Sequence, residues 1–120
     1  MTAKFLSPLS VELEDEVADT WRLTQPLRYQ SAIARRCITV PAGFVTDFAS
    51  VPRLPIIYLA TGNTARSPAV VHDWLYTSGE LRRSAADAVF LEAMKAAGIA
   101  WLRRWAMYAA VRAMGWRYYK

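Results

Sequence analysis

The pattern of apolar and polar residues separates an earlier, strand-like part of the chain from a later, helical part. Short apolar runs at residues 20–29 and 36–40 predict extended segments, and residues 41–43 (Pro-Ala-Gly) predict a tight turn into residues 44–47. These segments would form a small antiparallel sheet of two to four short strands. Because so small a sheet is marginally stable alone, we expect it to pack on the helices.

Two amphipathic helices are predicted in the later part. The first begins at Ser67-Pro68, where a capping side chain precedes a proline, and stops before Ser78-Gly79. The second ends at Gly98, a residue typical of helix C-termini. Its apolar positions recur at helical spacing and form one stripe, at residues 86, 89, 90, 93, 94 and 97.

A third helix is predicted at residues 100–114, closed by Gly115, and it mixes aromatic with cationic residues. Such interleaving suits a membrane interface or a groove on a partner protein, and it would permit oligomerisation through this helix. The alternative is that the tryptophans belong to the core and the arginines are solvated. The residues concerned are Trp101, Trp105, Trp116, Arg103, Arg104 and Arg112.

Together these elements predict one α+β domain, a small N-terminal antiparallel β-sheet packed on about three C-terminal α-helices. It would comprise an acidic segment (residues 1–19), a β-rich part (20–50) and a helical part (67–116). At 120 residues, of which 54% are hydrophobic, the chain suits a single core. No apolar run reaches about 18 residues, so we expect no transmembrane segment. The first residues lack the apolar stretch of a signal peptide, so we expect synthesis in the cytoplasm.

The formal net charge of +5 is unevenly distributed. Acidic residues concentrate at residues 12–19, whereas every residue from Ala97 onward is basic or neutral. The sequence holds no nucleic-acid-binding motif, zinc-ligand cluster or phosphate-binding glycine loop, so we expect no specific nucleic-acid partner. The single cysteine, Cys37, excludes an internal disulfide and is expected in the core.

The only histidine, His72, is the residue that points most directly to chemistry. Imidazole is the one side chain whose unperturbed pKa allows proton exchange near neutral pH. Asp73 follows it, Tyr76 lies one turn later, and the small Ala69 lies one turn before. On one helix face these residues would form a candidate acid–base site. Alternatively, they form a polar cluster whose hydrogen bonds are satisfied at the edge of the core.

A second carboxylate, Asp87, lies on the edge of the stripe of the next helix. The short connection makes the two helices antiparallel neighbours, so Asp87 could reach the imidazole of His72 and orient it. The alternative is a capping role, because Ser84 and Asp87 approximate the spacing of a capping box. The sequence leaves both roles open.

Asp47 is the remaining carboxylate of interest. It follows a predicted strand and is placed to accept hydrogen bonds from the backbone of the next turn. The alternative is that Asp47 joins His72, Asp73 and Asp87 at one cleft as a metal ligand. Several carboxylates around one imidazole suit a hard cation such as calcium better than zinc.

Three ordered segments resemble a known family: residues 43–53 (GFVTDFASVPR), 72–76 (HDWLY) and 86–90 (ADAVF). That family consists of small proteins encoded by tailed bacteriophages and prophages, it is catalogued as a domain of unknown function, and the resemblance spans residues 20–116. It implies a phage origin. We expect a virion-associated protein of the tail or baseplate, made in the host cytoplasm and then present in the particle. Its partners would be other phage structural proteins or the host envelope.

A second likeness concerns chemistry. His-Asp-x-x-Tyr on one helix and Ala-Asp-x-x-Phe on the next look like the catalytic core of phospholipase A(2), including its minimal viral versions. The likeness implies that His72 activates water, Asp73 binds calcium, Asp87 holds the histidine and Tyr76 supports this network. Residues 58–63 would occupy roughly the position of the calcium loop in that family. The alternative function is therefore a calcium-dependent hydrolase of lipids or other envelope bonds.

Overall fold

Short strands in the first part of the chain form two three-stranded antiparallel sheets in the computed structural model, which describes residues 2–46 and 66–120. One sheet has the order β1-β4-β5 and the other the order β2-β3-β6. The predicted α+β class is confirmed, with the strands divided between two sheets. Within the described residues the strands are β1 (Lys4–Phe5), β2 (Val11–Asp15), β3 (Thr20–Leu23), β4 (Leu27–Ser31), β5 (Arg36–Val40) and β6 (Val45–Thr46).

The β4–β5 pair provides the part of the sheet that faces the core. Leu27 pairs with Val40 and Tyr29 pairs with Ile38, and all four side chains are buried. Alternate residues of a strand point to opposite faces, so the residues of β4 and β5 that alternate with these four point away from the core. Cys37 is one of them and is exposed, which corrects its expected core position.

The acidic N-terminal segment contains two strands that the sequence analysis did not predict, β1 and β2. In the β2–β3 hairpin, Val11 pairs with Leu23 and Leu13 pairs with Trp21. Most of β2 is exposed, so it shows little alternation of apolar and polar residues. Pairing with β3 holds this strand, and the cross-strand ion pair between Glu12 and Arg22 supports it.

Residues 66–120 form three α-helices: α1 (Arg66–Ser78), α2 (Arg83–Ala96) and α3 (Trp101–Met114), with a 3-10 turn at Gly115–Arg117. Gly79, with a φ of 69°, ends α1 by donating its N–H to the Leu75 carbonyl. Five of the six predicted stripe positions of α2 are buried, namely Ala86, Val89, Phe90, Ala93 and Met94, together with Asp87. The sixth, Ala97, is the C-cap and is half-buried.

Helix α3 exposes large apolar side chains on its outer face. Only Met107 and Val111 of this helix are buried, whereas Trp101 and Trp105 are 64% and 50% exposed. Trp116 in the following 3-10 turn is 63% exposed. The interpretation that these tryptophans belong to the core is therefore wrong, because the stripe that α3 buries is too narrow to include them. No helix among the described residues is long and apolar enough to cross a bilayer.

Candidate functional site

His72 and Asp87 meet in the interior between α1 and α2. The Nε2 atom of His72 lies 2.7 Å from Oδ1 of Asp87, and both side chains are fully buried. The four-residue connection at 79–82 brings the two helices together. The predicted contact between the imidazole and the carboxylate is therefore present.

Asp87 is the centre of a larger network. The hydroxyl of Tyr76 donates to the same Oδ1 at 2.5 Å, and Nη1 of Arg112 donates to Oδ2 at 2.8 Å. Arg83 lies farther away, at 3.7 Å from Oδ2. We call His72, Tyr76, Asp87 and Arg112 the Asp87 network. It joins all three helices at one point.

The capping role considered for Asp87 is wrong. Helix α2 begins two residues earlier than a capping box at Ser84 requires, with Arg82 at the N-cap position and no side-chain capping hydrogen bond. Both oxygens of Asp87 are turned instead toward α1 and α3. Its role is tertiary rather than local.

Arginines complete the site, and the sequence analysis did not identify them. Arg83 precedes Asp87 by one helical turn, a spacing that could have indicated an ion pair. Its guanidinium also donates to the carbonyls of Val111 and Arg112 at 3.1–3.4 Å, which fixes the end of α3 beside the start of α2. Arg112 carries no such local signal, because only the packing of α3 places it near Asp87.

The electrostatics of the network define its protonation states. Burial lowers the pKa of the His72 imidazole, and this outweighs the neighbouring carboxylates that favour its protonation. Burial would raise the pKa of Asp87, but hydrogen bonds from His72, Tyr76 and Arg112 hold it below its usual range. Burial and the Asp87 charge raise the pKa of Tyr76. Near neutral pH the network therefore holds a neutral imidazole, a carboxylate, a phenol and a guanidinium.

These states fix the direction of the hydrogen bonds. A neutral imidazole beside a carboxylate carries its proton on the facing nitrogen, so Nε2–H of His72 donates to Asp87 and Nδ1 is the basic nitrogen. The ring also packs against Tyr76 and Phe90, with centroids 4.1 and 4.7 Å away. The imidazole is thus anchored by Asp87 and packed against two aromatic rings.

Asp73 turns toward the sheet. Its Oδ2 accepts a hydrogen bond of 2.5 Å from Oγ1 of Thr46 at the end of β6. The other predicted metal ligand, Asp47, and the loop at 58–63 lie outside the described residues. Within the ranges 2–46 and 66–120, no group of three or more His, Cys, Asp or Glu residues could hold a metal ion. A calcium site involving Asp73 and Asp47 therefore stays a prediction.

A second polar contact joins the sheet to α2 at Glu92. Its Oε1 accepts from the hydroxyls of Tyr29 and Ser31 at 2.7 and 2.8 Å, and its Oε2 accepts from the backbone of Ile33 at 2.9 Å. Burial raises the pKa of Tyr29, which keeps this phenol a donor. The contact fixes the β4–β5 turn on the helix.

Gly115 provides the space for Tyr76. A Cβ atom at this position would overlap the tyrosine hydroxyl, which is buried and bonded to Asp87.

We expect Gly115→Ala to lower the free energy of unfolding by about 1–3 kcal/mol, as overpacking does. In a Tyr76→Phe background, which lacks the hydroxyl, the penalty should shrink. Urea unfolding of the wild-type chain, the two single variants and the double variant measures this interaction as a double-mutant cycle. Equal losses of stability in both backgrounds would contradict the expected overlap with the tyrosine hydroxyl.

A family model described as "Protein of unknown function (DUF1353)" matches residues 21–111, a range that includes His72, Tyr76 and Asp87. Comparisons with curated proteins and with solved structures gave no match. The match covers most of the chain and confirms the expected membership of a family of unknown function. The chain belongs to the DUF1353 family of proteins of unknown function.

Proposed function

We propose that this protein is a structural component of a tailed-bacteriophage particle, in which the Asp87 network stabilises the helices. The observation that carries this proposal is the complete burial of both His72 and Asp87. A general base must come within hydrogen-bond reach of the proton it removes. An imidazole with no exposed surface offers a substrate no direct access, whereas burial is what a structural cluster requires.

The hydrogen bonds of Asp87 also favour a structural role. Two neutral donors share one oxygen, and Arg112 balances the charge at the other. A buried carboxylate is tolerated when it is paired and hydrogen-bonded in this way. The network therefore acts as a polar cross-link among three helices.

The motif resemblance and the surface of α3 support the proposed place in a virion. Large apolar side chains exposed together on a helix mark a site of contact with another molecule. Trp101, Leu102 and Trp105 are all at least half exposed on consecutive turns of α3. A tail or baseplate protein would cover such a face against its neighbours in the particle.

The test of this proposal is the composition of purified particles. Phage particles from a lysogen that encodes this chain are purified through a density gradient, and their proteins are quantified by mass spectrometry. We expect the chain at a fixed copy number relative to the other tail proteins. Its presence only in the soluble lysate, with none in the particles, would refute the virion assignment.

A second candidate function, a calcium-dependent hydrolase, is favoured by the connectivity of the network. His72 and Tyr76 both bind the same oxygen of Asp87, which is the arrangement that the phospholipase A(2) likeness implies. In that reaction Nδ1 of His72 would accept a proton from water as the water oxygen attacks an ester carbonyl. The imidazole would then return the proton to the leaving alcohol.

The hydrolase candidate predicts a response to calcium. If Asp73 and Asp47 bind the ion, calcium should raise the melting temperature progressively with its concentration, because a ligand of the native state stabilises by mass action. Asp73→Asn should abolish this shift, whereas Glu80→Gln, a change at an exposed carboxylate, should leave it intact. A calorimetric titration without heat and an unchanged melting temperature would argue against a cation site.

A further inference from the structure

An apolar groove lies between α2 and α3, beside the β4–β5 turn. Its volume is about 320 Å³, and its walls include Ile33, Leu91, Trp105 and Tyr108. Ile33 and Trp105 are each 50% exposed, so the groove opens to solvent with large apolar side chains at its mouth. We call this the α2–α3 groove. An apolar surface of this kind is typical of a contact site.

The β2–β3 hairpin carries an apolar side chain that is suited to such a groove. Val17 lies in the turn between the two strands and is 98% exposed. The carboxylate of Asp15 accepts hydrogen bonds from the backbone N–H groups of Val17 and Ala18, which fixes the turn. We call residues 15–19 the hairpin tip. It presents a preformed apolar projection, so seating it would require little ordering.

The charges of the two surfaces are complementary. The hairpin tip contains Asp15, Glu16 and Asp19 and no cation. The α2–α3 groove is flanked by Lys95 and Arg104, and no acidic residue follows Glu92 in the sequence. The carboxylate of Glu92 itself is occupied by Tyr29, Ser31 and Ile33. A negative projection and a positive rim attract and orient one another.

We propose that copies of this chain associate head to tail, with the hairpin tip of one copy seated in the α2–α3 groove of the next. Val17 enters beside Trp105, and Glu16 faces Lys95. The two contacting surfaces differ, so the contact is heterologous and builds a ring if the rotation closes or a filament if it does not. This goes beyond the proposed function and rests only on the two surfaces.

Complementation between two variants tests the proposal. Val17→Asp disables the hairpin tip and Trp105→Ala disables the groove, and each change concerns an exposed side chain. Sedimentation velocity of the wild-type chain should show assembly that grows with concentration and weakens with salt. Each variant alone should associate at least about tenfold more weakly, as expected for truncation of an anchor residue. A mixture of the two should form a dimer with one copy of each.

Further variants serve as controls. Trp116→Ala changes an exposed tryptophan outside the α2–α3 groove and should leave assembly unchanged. Glu16→Lys and Lys95→Glu should each weaken assembly, and their combination in one chain should restore it. Circular dichroism verifies folding, and if Trp105→Ala alters the spectrum, Lys95→Glu replaces it as the groove variant.

Three outcomes would overturn the proposal. The first is a wild-type chain that stays monomeric at its highest soluble concentration in low salt. The second is assembly that Trp105→Ala abolishes and Val17→Asp leaves intact, since that indicates a symmetric contact through α3. The third is a monomer that binds anionic phospholipid vesicles through Trp101 and Trp105, since that assigns the surface to a membrane.

Discussion

Asp87→Asn should lower the free energy of unfolding by about 1–3 kcal/mol, the cost of leaving a buried hydrogen-bonding group without its partner. The amide would leave Arg112 without a counter-charge. Its NH₂ group would also compete with the donors of His72 and Tyr76, because an amide has one acceptor where the carboxylate has two. For a domain of ordinary stability this is a large share of the total.

Urea unfolding, followed by the fluorescence of the five tryptophans, measures the effect. Glu80→Gln is the matched control, because Glu80 pairs with Arg36 at 3.3 Å and both side chains are substantially exposed. Removing this surface pair should cost at most about 1 kcal/mol. If Asp87→Asn proved no more costly than the control, the Asp87 network would not be the cross-link proposed here.

The protonation of Asp87 gives the same network a pH dependence. Its pKa in the folded state is held below the unfolded value of 3.8. Its contribution is therefore present above that value and is lost as the pH falls through the folded pKa. Asp87→Asn should lack this part of the acid sensitivity of the wild-type chain.

The pair His72→Gln and His72→Leu separates a catalytic from a structural histidine. The imidazole binds Asp87 through Nε2, a position that the amide nitrogen of glutamine can approach. As a structural residue, His72 should therefore tolerate Gln better than Leu. Leucine should cost about 1–3 kcal/mol more, because Asp87 loses a buried donor.

A catalytic His72 gives a different pattern. Neither glutamine nor leucine exchanges a proton near neutral pH, so both variants should lose hydrolysis of phospholipid or envelope extracts by about 100-fold or more. Phage infectivity is measured on the same variants. A fully stable His72→Leu protein in fully infectious particles would contradict both functions for this residue.

The acid stability of the same variants provides an independent check. Burial lowers the pKa of His72 below the unfolded value of 6.5, so below that pH the unfolded chain binds more protons than the folded one. Stability should then fall as the pH decreases from 6.5. The glutamine variant should lack this part of the acid sensitivity. An identical pH profile in both chains would mean that the pKa of His72 does not change on folding.

Local patterns were sufficient to predict the contact between His72 and Asp87. A short connection and two inward-facing positions on consecutive helices determine that contact with little help from the rest of the fold. The same reasoning could not find Arg112, which lies 25 residues beyond Asp87 on a helix whose rotation is set by tertiary packing. The sequence therefore did not predict that Arg112 binds Oδ2 of Asp87.

The sequence did not determine the burial of the α3 tryptophans or the presence of strand β2, and each has a physical reason. Tryptophan is common both in cores and at contact surfaces, so composition could not decide between them for Trp101 and Trp105. Strand β2 was not predicted, because its side chains are mostly exposed and acidic and so do not show the alternation typical of a half-buried strand. Cross-strand pairing, including the ion pairs of Arg22 with Glu12 and Glu14, is a tertiary property that one segment alone does not reveal.

The position of Arg112 has a consequence for the boundary of the folding unit. The family match ends at residue 111, one residue before the guanidinium that neutralises Asp87. Beyond it, Gly115 makes room for Tyr76, and the Tyr119 hydroxyl donates to the carbonyl of Leu81 at 2.8 Å. The part of the chain that the family model matches thus depends on residues 112–120 for the shortest ion pair of Asp87 and for closure. A fragment cut at the family limit would carry the three motif segments and still lack the guanidinium that lies closest to its buried carboxylate.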